Sequence, residues 1–93
     1  MPFRWDESKR LKVLAERSID FADLNELLYS PYVEEQSCEI PEQYRVIGFV
    51  AERLVTFIIE YRADDLKEYI WIVTAWNSTK QERTIYDQQV YKY

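Results

Sequence analysis

The spacing of apolar positions changes once along this chain, near Pro31. Before it, apolar residues recur at helical intervals; after it, they gather into β-branched and aromatic runs. Phe3-Arg4-Trp5 is a short aromatic run suited to a sheet edge, and Asp6 is placed to cap a first helix ending about Glu16. In that helix Leu11 and Leu14 are the expected buried stripe, while Lys9, Arg10, Lys12 and Arg17 make its flank basic. Asp20 is expected to cap a second helix carrying Phe21, Leu24, Leu27 and Leu28, which stops before Ser30-Pro31 because a residue preceding proline is steered out of the helical region.

Three strands are then predicted, at Tyr44 to Phe49, Leu54 to Tyr61 and Tyr69 to Trp76. Val50-Ala51-Glu52-Arg53 suits a tight hairpin and Arg62 to Glu68 a longer one, so the strands read as an antiparallel meander. A weaker fourth strand near Tyr32-Val33 would have to turn Glu34 and Glu35 to solvent. A last helix begins around Asn77 to Glu82, where both Ser78 with Gln81 and Thr79 with Glu82 have capping-box spacing, and Ile85 is its expected anchor. The tail Gln88 to Tyr93 carries neither cap nor stripe and is expected to fray. The expected fold is therefore α+β: two N-terminal helices, an antiparallel meander of three to four strands, and a C-terminal helix.

Composition narrows the class. The 93 residues suit one domain, 1–93, and with 47% apolar and 16% aromatic residues they can build a core without cross-links. Cys38 is the only cysteine, which excludes an internal disulfide, and no run of 18 apolar residues or N-terminal apolar segment marks a membrane span or a signal peptide. A cytoplasmic protein with no membrane association is the default expectation. The formal charge of -5 opposes generic attraction to nucleic acid. It is also uneven: no Lys or Arg falls between Ser18 and Tyr44, where Asp20, Asp23, Glu26, Glu34, Glu35, Glu39 and Glu42 lie. That span reads either as a solvated acidic face or as a docking surface for a basic partner.

The absence of histidine removes the commonest general base and zinc ligand, and one glycine cannot build a phosphate-binding loop. Neighbouring carboxylates such as Glu34/Glu35 or Asp64/Asp65 point to opposite faces of an extended chain, so no metal and no cofactor is expected. Cys38 sits among Glu35, Gln36 and Glu39, surroundings that do not activate a thiol. Trp5, Trp71 and Trp76 with Tyr44, Tyr61 and Tyr69 read either as strand packing or as a platform for stacking bases.

Four segments, taken in order, resemble the BrnT-type toxins of bacterial toxin–antitoxin modules. Phe3-Arg4-Trp5-Asp6-Glu7-Ser8-Lys9 looks like that family's aromatic-x-Trp-Asp-x-x-Lys opening, and Ile19-Asp20-Phe21 like the apolar-x-Phe element that begins its second helix. Ile47-Gly48 fits the end of its first long strand. Ile72 to Tyr86 is similar to its closing block, a strand ending in Ile-Ser-Ala-Arg followed by a helix with Glu-Arg-x-x-Tyr. The resemblance implies a RelE-like fold, metal-independent RNA cleavage that arrests translation, a cognate antitoxin, and homo-oligomers or hetero-oligomers with that antitoxin.

The departures fall on the family's basic residues. Glu16-Arg17-Ser18 stands where the family has Lys-His-Gly, Gln43 and Trp71 stand at arginine positions, and Trp76-Asn77 at an Arg-Lys pair. Lys9, Thr79, Glu82, Arg83 and Tyr86 remain. What the resemblance implies for catalysis rests on Arg17 and Arg83 as phosphate contacts, Glu82 as a base and Tyr86 as a weak acid, with Lys9, Arg10 and Lys80 gripping RNA. Each has a plainer role open to it: Glu82 as capping-box partner, Arg83 paired with Asp87, Tyr86 as helix–sheet packing. A catalytic reading expects Arg17, Lys80 and Arg83 on one face. Trp71 and Trp76 are expected on opposite sides of the sheet unless a bulge intervenes, one sealed and one exposed. Two alternatives stand beside the toxin: a weakened relative that binds protein, and an unrelated interaction domain with an exposed tryptophan patch.

Overall fold

The computed structural model describes residues 1–91. In chain order it contains β1 (Phe3–Trp5), α1 (Glu7–Arg17), a 3-10 turn (Phe21–Asp23), α2 (Leu24–Leu27), β2 (Tyr32–Glu39), β3 (Glu42–Val50), β4 (Arg53–Ala63), β5 (Glu68–Asn77) and α3 (Lys80–Val90). The strands form one five-stranded sheet of order β1-β5-β4-β3-β2. Strands β2 to β5 are the antiparallel meander, and β1 adds parallel to β5 at the edge, which makes the sheet mixed.

Local chemistry explains where the elements begin and end. The Asp6 carboxylate accepts from the backbone N–H groups of Ser8 and Lys9, at 2.9 and 3.3 Å, and so starts α1. The helix ends at Ser18, in the left-handed region at φ 57, where its N–H donates to the Leu14 carbonyl. Asp20 caps the 3-10 turn through Ala22 N–H, so the second helical segment starts as a tight turn and continues as the short α2. The β2–β3 turn is Ile40-Pro41, joined by a cis peptide bond, and Ala51-Glu52 closes β3 to β4 with Ala51 at φ 54. Asp64 accepts from the N–H groups of Leu66 and Lys67, 3.0 Å each, and closes β4 to β5. Of the two capping boxes the sequence offers, Thr79–Glu82 forms; the Ser78 hydroxyl instead meets Thr56 at 2.8 Å.

Each face of the sheet carries a core. On one side Val13, Ile19, Phe21, Leu24 and Leu27 pack on Val46, Val55, Phe57, Ile59, Ile70, Ile72 and Ala75, with Phe3 and Trp5 at the margin. On the other, α3 lays Tyr86 over Val33, Ile47 and Leu54. Gly48 lies close beneath α2: a Cβ there would stand 2.8 Å from Leu27 Cγ.

Three expectations are corrected. Helix α1 buries Val13, while Leu11 and Leu14 are 53% and 36% exposed. The sheet-facing side is Arg10–Val13–Arg17, with Val13 alone buried: Arg10, half-buried, reaches Asp20 and Arg17, exposed, reaches the Ala75 carbonyl, so two long side chains flank the apolar contact. The fourth strand is a full eight residues, Tyr32–Glu39. Helix α3 continues through Gln88 to Val90, held by the half-buried Val90 on the second core, rather than fraying there; residues 92 and 93 of the expected tail lie outside the described residues. Among the described residues no helix is long and apolar enough to cross a membrane.

Candidate functional site

Helix α3 covers only part of its face of the sheet. Alternation along the strands puts Glu35 of β2, Gln43 and Arg45 of β3, Ile58, Glu60 and Arg62 of β4, and Trp71 and Trp76 of β5 on that same face. The two tryptophans share it because of a bulge: Ile58 pairs with Thr74 and Ile59 with Ile72, which leaves Val73 without a partner. That extra residue reverses the alternation, so Ile70, Ile72 and Ala75 all enter the other core. The expectation of one sealed and one exposed tryptophan is therefore corrected: both are half-buried on one side.

The face is polar and tightly cross-linked. Arg45 donates through Nε to Glu35 Oε1 at 3.0 Å, with Nη2 to the same oxygen, and through Nη1 to Glu82 Oε2 at 3.4 Å. Gln43 donates to Glu60 at 2.7 Å, and Arg62 bonds Glu60 while its guanidinium lies 4.5 Å over the Trp71 ring. At the edge, Arg4 pairs with Asp64 at 3.0 Å and lies 4.1 Å over Tyr69. Glu60 is held below the usual carboxylate range, first by the Gln43 amide and then by Arg62, against the opposing effect of burial.

Glu82 is the hub. Only 3% exposed, it accepts at Oε1 from Thr56 Oγ1 (3.0 Å), Trp76 Nε1 (2.9 Å) and Thr79 N–H (2.9 Å). Burial pushes its carboxyl up, but these bonds and the Arg45 charge outweigh it and leave the group below its ordinary value. Three donors converge on its Oε1, and Arg45 alone reaches its Oε2.

The sequence-predicted residues are dispersed. Arg17 Nη1 donates to Ala75 O at 2.8 Å, at the open edge of β5 beyond β1. Tyr86 is 2% exposed and its hydroxyl donates to Pro31 O at 3.0 Å; burial, then the nearby Tyr91 and Asp87, raise its pKa. Arg10 is bound to Asp20 and Glu7, whereas Lys9 and Lys80 are exposed. Arg83 is exposed and forms no ion pair with Asp87 among the described residues. The expectation of Arg17, Lys80 and Arg83 on one face is corrected: Arg17 belongs to α1, which packs on one side of the sheet, and Lys80 and Arg83 to α3, which packs on the other. Several carboxylates of the acidic span have partners within the chain, Asp20 with Arg10, Glu26 with Ala51 N–H at 2.7 Å, Glu34 with the Tyr61 hydroxyl and Glu35 with Arg45, while Glu26, Glu34, Glu39 and Glu42 stay exposed. Among the described residues no cluster of three or more potential metal ligands occurs.

Sequence reading missed Glu35 and Arg45 as site residues. The signal was there in weak form, since Arg45 lies two positions from Gln43 and so on the same strand face. Only the β2–β3 register shows that Glu35 stands directly opposite it.

Neither a protein-family model nor a curated protein matches this chain. Among solved structures, the crystal structure of the Brucella abortus ribonuclease toxin BrnT is similar, at TM-score 0.68 and 21% identity, covering 86% of this chain and 99% of that one. The chain has a BrnT-like toxin fold.

Proposed function

With that fold as premise, we propose that the protein is a toxin component of a toxin–antitoxin pair that cleaves RNA without a metal ion, with the RelE-like arrangement the resemblance implies. One observation carries the reading beyond the fold. Gln43, Trp71 and Trp76, the residues standing where the family places cations, fall on one open sheet face beside α3. A site remodelled within its original outline fits this pattern. The ribose 2′-hydroxyl must lose a proton and the pentavalent phosphate must be stabilised, and this face gathers carboxylates and guanidiniums. In this reading Arg17 at the β5 edge and the exposed Arg83 and Lys80 contact phosphate, Lys9 adds to the RNA-facing charge while Arg10, expected to do the same, is held by Asp20 and Glu7, Glu82 holds the floor in place, and Tyr86 packs. The partner is a cognate antitoxin, and the setting is the cytoplasm.

The test is cleavage of a labelled RNA by the purified chain in EDTA, beside Arg17→Ala and Arg83→Ala. A loss of at least tenfold in either variant, about 1.4 kcal/mol of transition-state stabilisation, supports the assignment. Absence of cleavage by the folded wild type sinks it.

A second reading has its own observation. Arg4, Arg10, Arg45 and Arg62 are each neutralised by a carboxylate within the chain. A relative that kept the scaffold and binds protein without cutting RNA would look like this, and it is the reading that a negative cleavage result selects.

A further inference from the structure

Besides Asp64 at its edge, the open face contains three carboxylates among the described residues, and they are not equivalent. Glu82 has a side chain only 4% exposed and carries the bonds that anchor α3. Glu60 is 14% exposed and is held by Gln43 at one oxygen and Arg62 at the other. Glu35 is 33% exposed; both of its Arg45 bonds end on Oε1, and Oε2 has no hydrogen-bond partner among the described residues. It is the carboxylate on this floor with a free oxygen and access to solvent.

Arg45 is fixed from two directions. Its cross-strand register partner is Glu35, and from α3 the buried Glu82 accepts its Nη1 while being tied to three other donors. A guanidinium held in this way has lost its rotamer freedom before any ligand arrives, and its remaining N–H groups keep fixed directions.

Resting on the RNA-cleavage reading, we propose that Glu35 is the general base and Arg45 the phosphate-stabilising cation of this site, with Glu82 as the positioning residue behind Arg45. Glu35 Oε2 takes the proton from a ribose 2′-hydroxyl. The 2′-oxygen bonds to the adjacent phosphorus, the bond from phosphorus to the 5′-oxygen breaks, and the leaving oxygen takes a proton from water. The resulting hydroxide recovers the proton from Glu35, so the step is a transesterification that leaves a 2′,3′-cyclic phosphate and a 5′-hydroxyl. Arg45 offsets the charge that builds on the phosphate oxygens.

The experiment measures cleavage of a single-stranded oligoribonucleotide in EDTA by the full chain and by Glu35→Gln and Arg45→Lys, across pH, with product ends identified. A 2′-deoxy version of the oligonucleotide reports binding alone. Expected are cyclic-phosphate ends, a loss on the order of 100-fold in kcat/KM for E35Q, and disappearance of its ascending pH limb, with binding of the deoxy strand not weakened, since the variant removes a negative charge. R45K is expected to lose at least about tenfold, because an ammonium cannot hold both carboxylates and a phosphate in one plane. Cleavage by E35Q at the wild-type rate and pH profile overturns the assignment and leaves the RNA-cleavage reading standing. No cleavage by the wild type overturns both.

Discussion

The indole Nε1 of Trp76 donates to Glu82 Oε1 at 2.9 Å, joining the end of a strand to the first turn of the helix that follows it. The same oxygen accepts from Thr56 and from the backbone of Thr79, so one buried atom ties β4, β5 and α3 together. Loss of a donor to a buried carboxylate leaves the charge less compensated. Trp76→Phe, which keeps an aromatic ring but loses the indole N–H and part of the side-chain volume, is expected to destabilise the fold by at least about 1.5–3 kcal/mol, the usual worth of a hydrogen bond to a charged group, measured by urea denaturation. An unchanged midpoint would show that Glu82 is held adequately without it.

The pH dependence follows from the same group. Glu82, Asp20, Glu60 and Asp64 all have carboxyls below their ordinary values: hydrogen bonds and nearby guanidiniums are the leading cause in Asp20, Glu60 and Asp64, and in each of the four they outweigh the opposing effect of burial. A depressed folded pKa stabilises above the unfolded value and loses that contribution as pH falls through the folded one. Asp23, raised by burial and by Asp20 and Glu26, works in the opposite sense. Four lowered groups against one raised one make stability fall as pH drops below about 4.5, the ordinary glutamate value. Denaturation midpoints measured from pH 7 down to 3 check this, and Glu82→Gln should flatten the slope as well as lower the plateau.

Ser18 ends α1 in the left-handed region, at φ 57, without the freedom glycine has there. The left-handed conformation costs an L-residue roughly 1–2 kcal/mol, part of which glycine gives back through the entropy of its unfolded chain. Ser18→Gly is expected to raise stability by somewhat less than about 1 kcal/mol, visible as a rise in Tm. A fall would mean that the serine side chain does more than the backbone geometry indicates.

Gly48 admits a close approach of α2 to the sheet. An added Cβ would lie 2.8 Å from Leu27 Cγ and Cδ2 and 3.2 Å from Tyr32 Cβ. Since Leu27 is fully buried, it cannot swing into solvent, and Gly48→Ala is expected to cost about 1–3 kcal/mol of overpacking. A Leu27→Ala background should reduce that cost, because the clash and the cavity share one space; strictly additive losses in the double-mutant cycle would argue against the contact.

What the sequence alone determined here is the chemistry of short stretches. Asp6, Asp20 and the Thr79–Glu82 box are legible because a cap satisfies backbone N–H groups only two or three residues away. The central strands are legible because their β-branched and aromatic runs need no distant partner to be recognised. Which side of an element faces inward was decided only by tertiary pairing. Val13 rather than Leu11 is buried because Asp20 and the Ala75 carbonyl receive the arginines beside it. Trp71 and Trp76 share a face because Val73 finds no partner in β4, and a one-residue slip turns every later side chain over. Glu35 meets Arg45 for the same reason: two residues ten apart in the chain become neighbours only once the β2–β3 register is set.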